Sequence, residues 1–244
     1  EQGRVDMVHK GHESEGGRTL TTPLHYAYLK IADGCNNHCT YCLIPKIRGK
    51  YRSYPMEKLV AEAESLGDLS ELILVAQDTT RYGEDLYGEN KFVELIRRLS
   101  ALENIGSIRL LYCYPDVIGE ELIEEIAVNP KVVKYIDIPL QHSEDRILKL
   151  MNRKGSRAEY LFLIRKLKER IPDIAIRSTF IAGFPTETEE EAAALGDFQR
   201  EAKLTNCGFF AYSREADTPA YRLKGQIPAR VKEKRVREVY RVQE

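Results

Sequence analysis

Tyr26-Ala-Tyr-Leu-Lys-Ile-Ala-Asp-Gly-Cys-Asn-Asn-His-Cys-Thr-Tyr-Cys42 decides how the rest of the chain is read. Residues 26–31 are an apolar, aromatic-rich run of strand length. Directly after it, Cys35, Cys39 and Cys42 stand in the spacing C-x3-C-x2-C. Strand-like runs recur at residues 71–75, 107–112, 135–138, 173–181 and 206–212, with helical patterns between them. Pro55 opens one helix at 56–64, where its missing N–H costs nothing. Residues 91–102 carry Phe92, Leu95, Ile96 and Leu99 at helical spacing. Further helices are expected over 120–128, 144–150, 157–170 and 187–202. Each helix must return the chain before the next parallel strand can start, so the alternation predicts a parallel sheet. Right-handed crossovers curl six such units into an open barrel. The expected fold is α/β, a partial (open) (β/α)6 TIM-like barrel over residues 23–227.

The 244 residues carry 37 Lys and Arg against 38 Asp and Glu, a formal charge of −1. No global charge points to nucleic acid, although a neutral total can hide a local patch. No apolar run approaches the roughly 20 residues of a membrane span, and the start shows no signal-peptide pattern. A cytoplasmic location without a membrane partner is expected. Residues 1–22 are polar, with Gly11, Gly16 and Gly17 and no hydrophobic period, and read as the linker remnant of a longer protein. Residues 228–244 form a basic-rich helix with Val231, Val236, Val239 and Tyr240. Mixed charge on a helix is usually a solvated face, so this one reads as packed outside the barrel or leading onward.

Five cysteines are an odd number, and thiols stay reduced in the cytosol, so disulfides are not expected. Cys113 and Cys207 sit singly in apolar runs and read as core residues. For the cluster of three, zinc is one reading, since thiolates at short spacing suit it and His38 lies inside the loop. Structural zinc sites usually pair two such knuckles, however, and no second one follows. The other reading is an iron–sulfur cube, which normally takes four cysteines. Three leave one iron open to a non-protein ligand, the vacancy that catalysis needs.

In parallel α/β folds the ligand site forms at the carboxyl ends of the strands, and the cysteine loop starts there. The same mouth would receive Ala76-Gln-Asp-Thr-Thr80, Pro139-Leu-Gln-His142, Ile181-Ala-Gly-Phe-Pro-Thr-Glu187 and Tyr212-Ser-Arg-Glu-Ala-Asp-Thr218. Singly, each has a structural explanation. Asp78 and Thr79 can cap a helix. Thr186 can cap the helix near Glu187, with Glu189 completing a capping box. Gly183 can serve a tight turn. Together, beside three thiolates, they mark a site. Arg177 lies in an apolar strand and needs an anion, either Asp137 or a ligand carboxylate. Gln141 ends the neighbouring strand, and His142 is a proton shuttle or a hydrogen-bonded structural residue. Lys46, Arg48, Lys50 and Arg52 make a cationic loop, suited to an anionic cosubstrate or an acidic partner, or simply solvated.

Cys35, Cys39, Tyr41 and Cys42 make the pattern C-x3-C-x-aromatic-C, which resembles that of the radical S-adenosylmethionine superfamily. The resemblance runs from about residue 26 to 212 and implies a barrel of the radical-SAM type. Gly34-Cys-Asn-Asn-His-Cys-Thr-Tyr-Cys-Leu-Ile-Pro-Lys-Ile-Arg-Gly49, Asp145-Arg-Ile-Leu-Lys-Leu-Met151 and Phe180-Ile-Ala-Gly-Phe-Pro-Thr-Glu-Thr188 are similar to stretches of its methylthiotransferases. Gln77-Asp-Thr-Thr80, Tyr112-Cys-Tyr-Pro115 and Pro139-Leu-Gln-His142 look like the RimO branch, which acts on an aspartate of ribosomal small-subunit protein twelve. The MiaB-like branch, which acts on tRNA and tends to read Gln-Asn-Val-Asn and Pro-Val-Gln-Ser there, is the alternative. A zinc-stabilised binding module is the alternative of another class.

The resemblance implies that Cys35, Cys39 and Cys42 hold three irons of a [4Fe-4S] cluster and that the fourth takes the amino and carboxylate groups of S-adenosylmethionine. One electron then breaks the sulfonium C–S bond, and a 5′-deoxyadenosyl radical removes hydrogen from the target. Tyr41 is implied near the adenine, with Gln77, Gln141, Arg177 and Gly183 as cosubstrate contacts. An electron donor is the implied partner. The family also carries a second [4Fe-4S] cluster in an N-terminal domain, and a C-terminal TRAM domain. Residues 1–244 hold neither, so the chain is expected to cleave S-adenosylmethionine without completing sulfur insertion.

Overall fold

A computed structural model describes residues 22–243; nearly all of the expected linker, residues 1–21, lies outside the described residues. The strands, in chain order, are β1 (Tyr26–Lys30), β2 (Ala32–Asp33), β3 (Arg52–Ser53), β4 (Glu71–Val75), β5 (Ile108–Leu110), β6 (Val132–Gln141), β7 (Ala175–Ala182) and β8 (Asn206–Ala211). The helices are α1 (Ile44–Ile47), α2 (Met56–Ser65), α3 (Glu84–Tyr87), α4 (Phe92–Ser100), α5 (Glu120–Val128), α6 (Asp145–Leu150), α7 (Arg157–Arg170), α8 (Glu189–Ala202) and α9 (Ala229–Gln243).

Six strands form one sheet in the order β1-β4-β5-β6-β7-β8, and every pairing is parallel. That is the sequential order expected from the strand–helix alternation. The two-residue ladder between β2 and β3 is antiparallel and was not expected, nor were the short helices α1 and α3. Two residues per strand give no period to read.

Burial explains the strand composition. Leu72, Ile73 and Leu74 of β4 are consecutive and all buried, as in a parallel strand covered on both faces. On α4, Phe92, Leu95, Ile96 and Leu99 form one buried stripe. Each such side chain contributes roughly 1.5–3 kcal/mol by leaving water. Glu125 of α5 is the polar exception in the core, and it is satisfied by Arg97 Nε at 2.7 Å and Asn129 Nδ2 at 2.7 Å.

The C-terminal helix packs against the outside of the sheet, one of its two expected placements. Val239 of α9 is buried in the main core. The Tyr240 hydroxyl accepts the Phe209 N–H of edge strand β8 at 3.1 Å.

β6 slips register against β7 between Ile138 and Gln141. Gln141 there adopts φ +74°, and Tyr112, just past β5, adopts φ +57°. Non-glycine residues in this region are strained, and such strain gathers at functional sites.

Candidate cluster and cosubstrate site

The cysteine loop is an excursion between β2 and β3, closed by their ladder at its base. Gly34 starts it at φ +78°, and a Cβ there would stand 2.2 Å from the Lys50 carbonyl oxygen. Glycine is required on both counts. Cys35 N–H donates to Gly49 O at 3.2 Å, and Asn36 Oδ1 accepts the Tyr51 N–H at 3.1 Å. The far side is held by remote segments. Thr40 donates through its N–H to Met151 O and through Oγ1 to Leu150 O, at 3.0 and 2.8 Å. Its carbonyl accepts the Ala220 N–H, and Asn152 Nδ2 donates to His38 O.

Asp78, past β4, does not cap a helix with its side chain. Its buried carboxylate receives Asn37 Nδ2 at 2.9 Å, the Thr80 hydroxyl at 2.6 Å and Arg81 Nε at 3.1 Å. Burial raises its pKa, and these donors work against the rise. Asp78 therefore anchors the loop.

The three thiols line one cavity of about 390 Å3, together with Tyr41, Gln77, Tyr112, Tyr114, Asp137, Gln141, Arg153 and Thr179. These come from the loop between β2 and β3, the residues following β4 and β5, the carboxyl halves of β6 and β7, and the segment after α6. Cys35 Sγ accepts the Asn37 N–H and Cys42 Sγ the Ile44 N–H, both at 3.4 Å. Burial raises the pKa of Cys35 and of Cys42. Cys39 Sγ lies 3.2 Å from the Tyr114 hydroxyl. Among the described residues no three His, Cys, Asp or Glu side chains are grouped around a single point as ligands to one ion, and His38 is exposed and outside the cavity lining. Gln77 Oε1 is buried without a hydrogen-bond partner, a polar atom waiting for a donor. Three soft thiol donors beside an open, partly polar cavity fit a multi-iron cluster with a polar cosubstrate.

Tyr41, Gln77 and Gln141 thus meet the cysteines in the cavity. Arg177 and Gly183 are not among its lining residues. Arg177 faces Asp137 across β6–β7, with Nη1 2.8 Å from Oδ1, so a protein carboxylate is its anion. Asp137 Oδ2 also accepts the Tyr112 N–H at 3.2 Å. Gly183, at φ +77°, gives its N–H to the Glu187 carboxylate at 2.9 Å, and a Cβ there would meet Lys232 Cγ at 2.3 Å. His142 is fully buried. Its Nδ1 accepts the Glu144 N–H at 3.0 Å, which leaves Nε2 as the donor toward Glu187 at 3.2 Å. It is a structural histidine.

The α8 cap corrects the sequence expectation. Thr188, not Thr186, is the N-cap, and Glu191, not Glu189, closes the capping box. Cys113 and Cys207 are buried core residues, their thiols pushed up to about 12 by burial. Arg153 had no signal in the sequence, and Tyr114 stood out only as part of Tyr112-Cys-Tyr-Pro115; only folding brings them to Cys39.

Six parallel strands with three thiols clustered in the loop beyond the first put those thiols at the end of an α/β barrel where ligands bind. The sequence profile of the Radical SAM superfamily matches residues 29–198, and the chain belongs to that superfamily. It is 54% identical over 224 residues to the ribosomal protein uS12 methylthiotransferase RimO of Clostridium botulinum, covering 91% of this chain and 50% of that protein. It is 52% identical over 228 residues to RimO of Acetivibrio thermocellus, covering 93% and 50%. The chain spans about half the length of the curated relatives it matches. The fold is shared with the radical S-adenosylmethionine methyltransferase TsrM of Kitasatospora setae, at TM-score 0.64 and 20% identity over 80% of this chain and 38% of that one. It is also shared with coproporphyrinogen III oxidase HemN of Escherichia coli, at TM-score 0.63 and 17% identity over 88% and 51%.

Proposed function

We propose that this chain is the radical-generating domain of a methylthiotransferase that acts on ribosomal protein uS12. Cys35, Cys39 and Cys42 are the ligands of a [4Fe-4S] cluster. The observation that carries the reading is the orphaned Gln77 Oε1 in the same cavity as the three thiols. Similarity to RimO proteins at about half identity supports the choice of substrate. When bound, the cluster and S-adenosylmethionine supply one-electron cleavage of a sulfonium C–S bond. Gln77 accepts a polar hydrogen of the cosubstrate, and Gln141, held at positive φ, presents its amide to the same space. Tyr41 gives a flat face for the adenine. Arg177 acts through Asp137, whose carboxylate it holds at the cavity wall.

The domain sits between an N-terminal portion bearing a second cluster and a C-terminal portion reached through α9. A cluster held by these cysteines would take its electron from an external donor, in the cytoplasm. Among the described residues no helix is long and apolar enough to cross a membrane.

The test is anaerobic reconstitution followed by iron, sulfide and zinc analysis and assay for 5′-deoxyadenosine with a chemical reductant. About four irons with matching sulfide and nucleoside release are expected. Stoichiometric zinc without sulfide overturns the reading. Mass spectrometry of uS12 against tRNA after reaction with the whole protein decides the substrate.

A further inference from the structure

We infer that Arg153, acting with Tyr114, is the built-in counter-charge of the iron–sulfur cluster and sets its reduction potential through Cys39. This rests on the cluster assignment proposed above. Arg153 follows α6 and is only 7% exposed. One guanidinium nitrogen, Nη2, donates to Pro139 O at 2.5 Å. The guanidinium carbon stands 3.9 Å from the centroid of the Tyr114 ring. Nη1 points at Cys39 Sγ from 3.8 Å, and Nε has no acceptor. Among the described residues no carboxylate pairs with it. A buried cation without an anion is strongly disfavoured. A carbonyl, the Tyr114 ring face and the neutral Tyr41 and Tyr160 hydroxyls beside it compensate it only in part. The anion that completes the arrangement is the thiolate of Cys39 as a cluster ligand.

Tyr114 adds a second donor. Its hydroxyl is 3.2 Å from the same sulfur, and its N–H is fixed by Thr80 Oγ1 at 3.0 Å. Cys35 and Cys42 each receive one main-chain N–H and no side-chain donor. The environment of the three sulfurs is therefore asymmetric, with positive charge and hydroxyl concentrated on Cys39. Net charge and hydrogen bonds to the sulfurs are the protein's levers on such potentials. The reduced cluster carries one more negative charge than the oxidised one. A fixed cation and a donor stabilise it and raise the potential.

The experiment is a potentiometric titration of the reconstituted chain, followed by the electron paramagnetic resonance signal of the reduced cluster. Arg153→Gln is expected to lower the reduced-to-oxidised ratio at fixed potential at least tenfold, a downward shift of about 59 mV for one electron. Tyr114→Phe, which removes one hydroxyl, is expected to lower it about threefold. Arg153→Lys, which keeps the charge, recovers most of the loss. Iron content and melting curves accompany each variant. A wild-type chain that takes up no iron overturns both the cluster reading and this role. Wild type and variants that all hold the cluster, with Arg153→Gln and Tyr114→Phe within twofold of wild type, overturn the counter-charge alone. If Arg153→Gln does not fold, Tyr114→Phe decides: an unchanged ratio overturns the proposal.

Discussion

Arg235 of the last helix reaches Glu187 just past β7, with Nη1 2.8 Å from Oε1 and side chains only 8% and 0% exposed. The same carboxylate accepts the N–H groups of Gly183 and Phe184 and faces His142 Nε2. One buried anion therefore ties α9, the turn ending β7 and the residue after Gln141 into a single knot. Glu187→Ala leaves Arg235 buried without its anion. The expected loss is about 3–5 kcal/mol, read as a lowered midpoint in denaturant unfolding. A loss below about 1 kcal/mol would mean that water or another group replaces the carboxylate.

Gly34→Ala is expected to open the cysteine loop. The added Cβ would collide with the Lys50 carbonyl, at a φ that disfavours any side chain. Tyr51 is the loop's member of the main core, so the expected stability loss is modest, about 1–3 kcal/mol. The iron bound after reconstitution is expected to fall severely. Full iron loading in Gly34→Ala would show that the loop tolerates another path.

Gln77→Met separates apo stability from ligand binding. Gln77 Oε1 has no partner in the protein alone, so its loss is expected to leave the melting temperature unchanged or raised. S-adenosylmethionine affinity is expected to weaken roughly 5- to 10-fold, the worth of one lost hydrogen bond. Calorimetry on the reconstituted chain reads both. Unchanged affinity would remove Gln77 from the cosubstrate contacts.

Alkaline pH is expected to destabilise the fold from pH 9.0 upward. Cys113 and Cys207 have an ordinary value of 9.0 when unfolded and are pushed to about 12 by burial. Below pH 9.0 both states keep both protons, and the full stability is present. Above it the unfolded chain loses protons that the folded chain retains, so stability falls by about 1.4 kcal/mol per pH unit per thiol. Urea unfolding between pH 8 and 10 reads the slope, and the Cys113→Ala/Cys207→Ala variant is expected to reduce it, leaving the part owed to Cys35 and Cys42, which burial also raises. An equal slope in that variant would place the titration elsewhere.

The barrel was legible because its signals are local. Leu72, Ile73 and Leu74 announce a strand buried on both faces, and Phe92, Leu95, Ile96 and Leu99 announce a helix stripe. Cys35, Cys39 and Cys42 were legible because one loop supplies all three thiols now lining the cavity. Arg153 and Tyr114 were not legible, since 114 and 75 residues of chain separate them from Cys39. Arg177 was legible only as a choice of two anions, and register decided it by setting Asp137 directly opposite.

The α8 cap shows the limit at short range. Thr186 and Thr188 both precede acidic residues, but Thr186 sits at φ +70°, where a cap's extended geometry is lost. Thr188→Ala is expected to cost about 1 kcal/mol, because Thr188 accepts the Glu191 N–H and Glu191 accepts the Thr188 N–H. Thermal melting of the variant checks it. No change would mean that Arg146, bound to Glu191 at 2.6 Å, holds the helix start unaided.

The cysteine loop is pinned by Asp78, Leu150, Met151, Asn152 and Ala220. During synthesis a chain presents its amino-terminal residues first. The three thiols therefore leave the ribosome long before the segments that cage them exist. Until residue 220 has been made, the Thr40 carbonyl lacks the Ala220 N–H that it accepts in the folded chain. Chain direction fixes the order in which the parts are supplied: the thiols first, then Asp78, then residues 150–152, and Ala220 last.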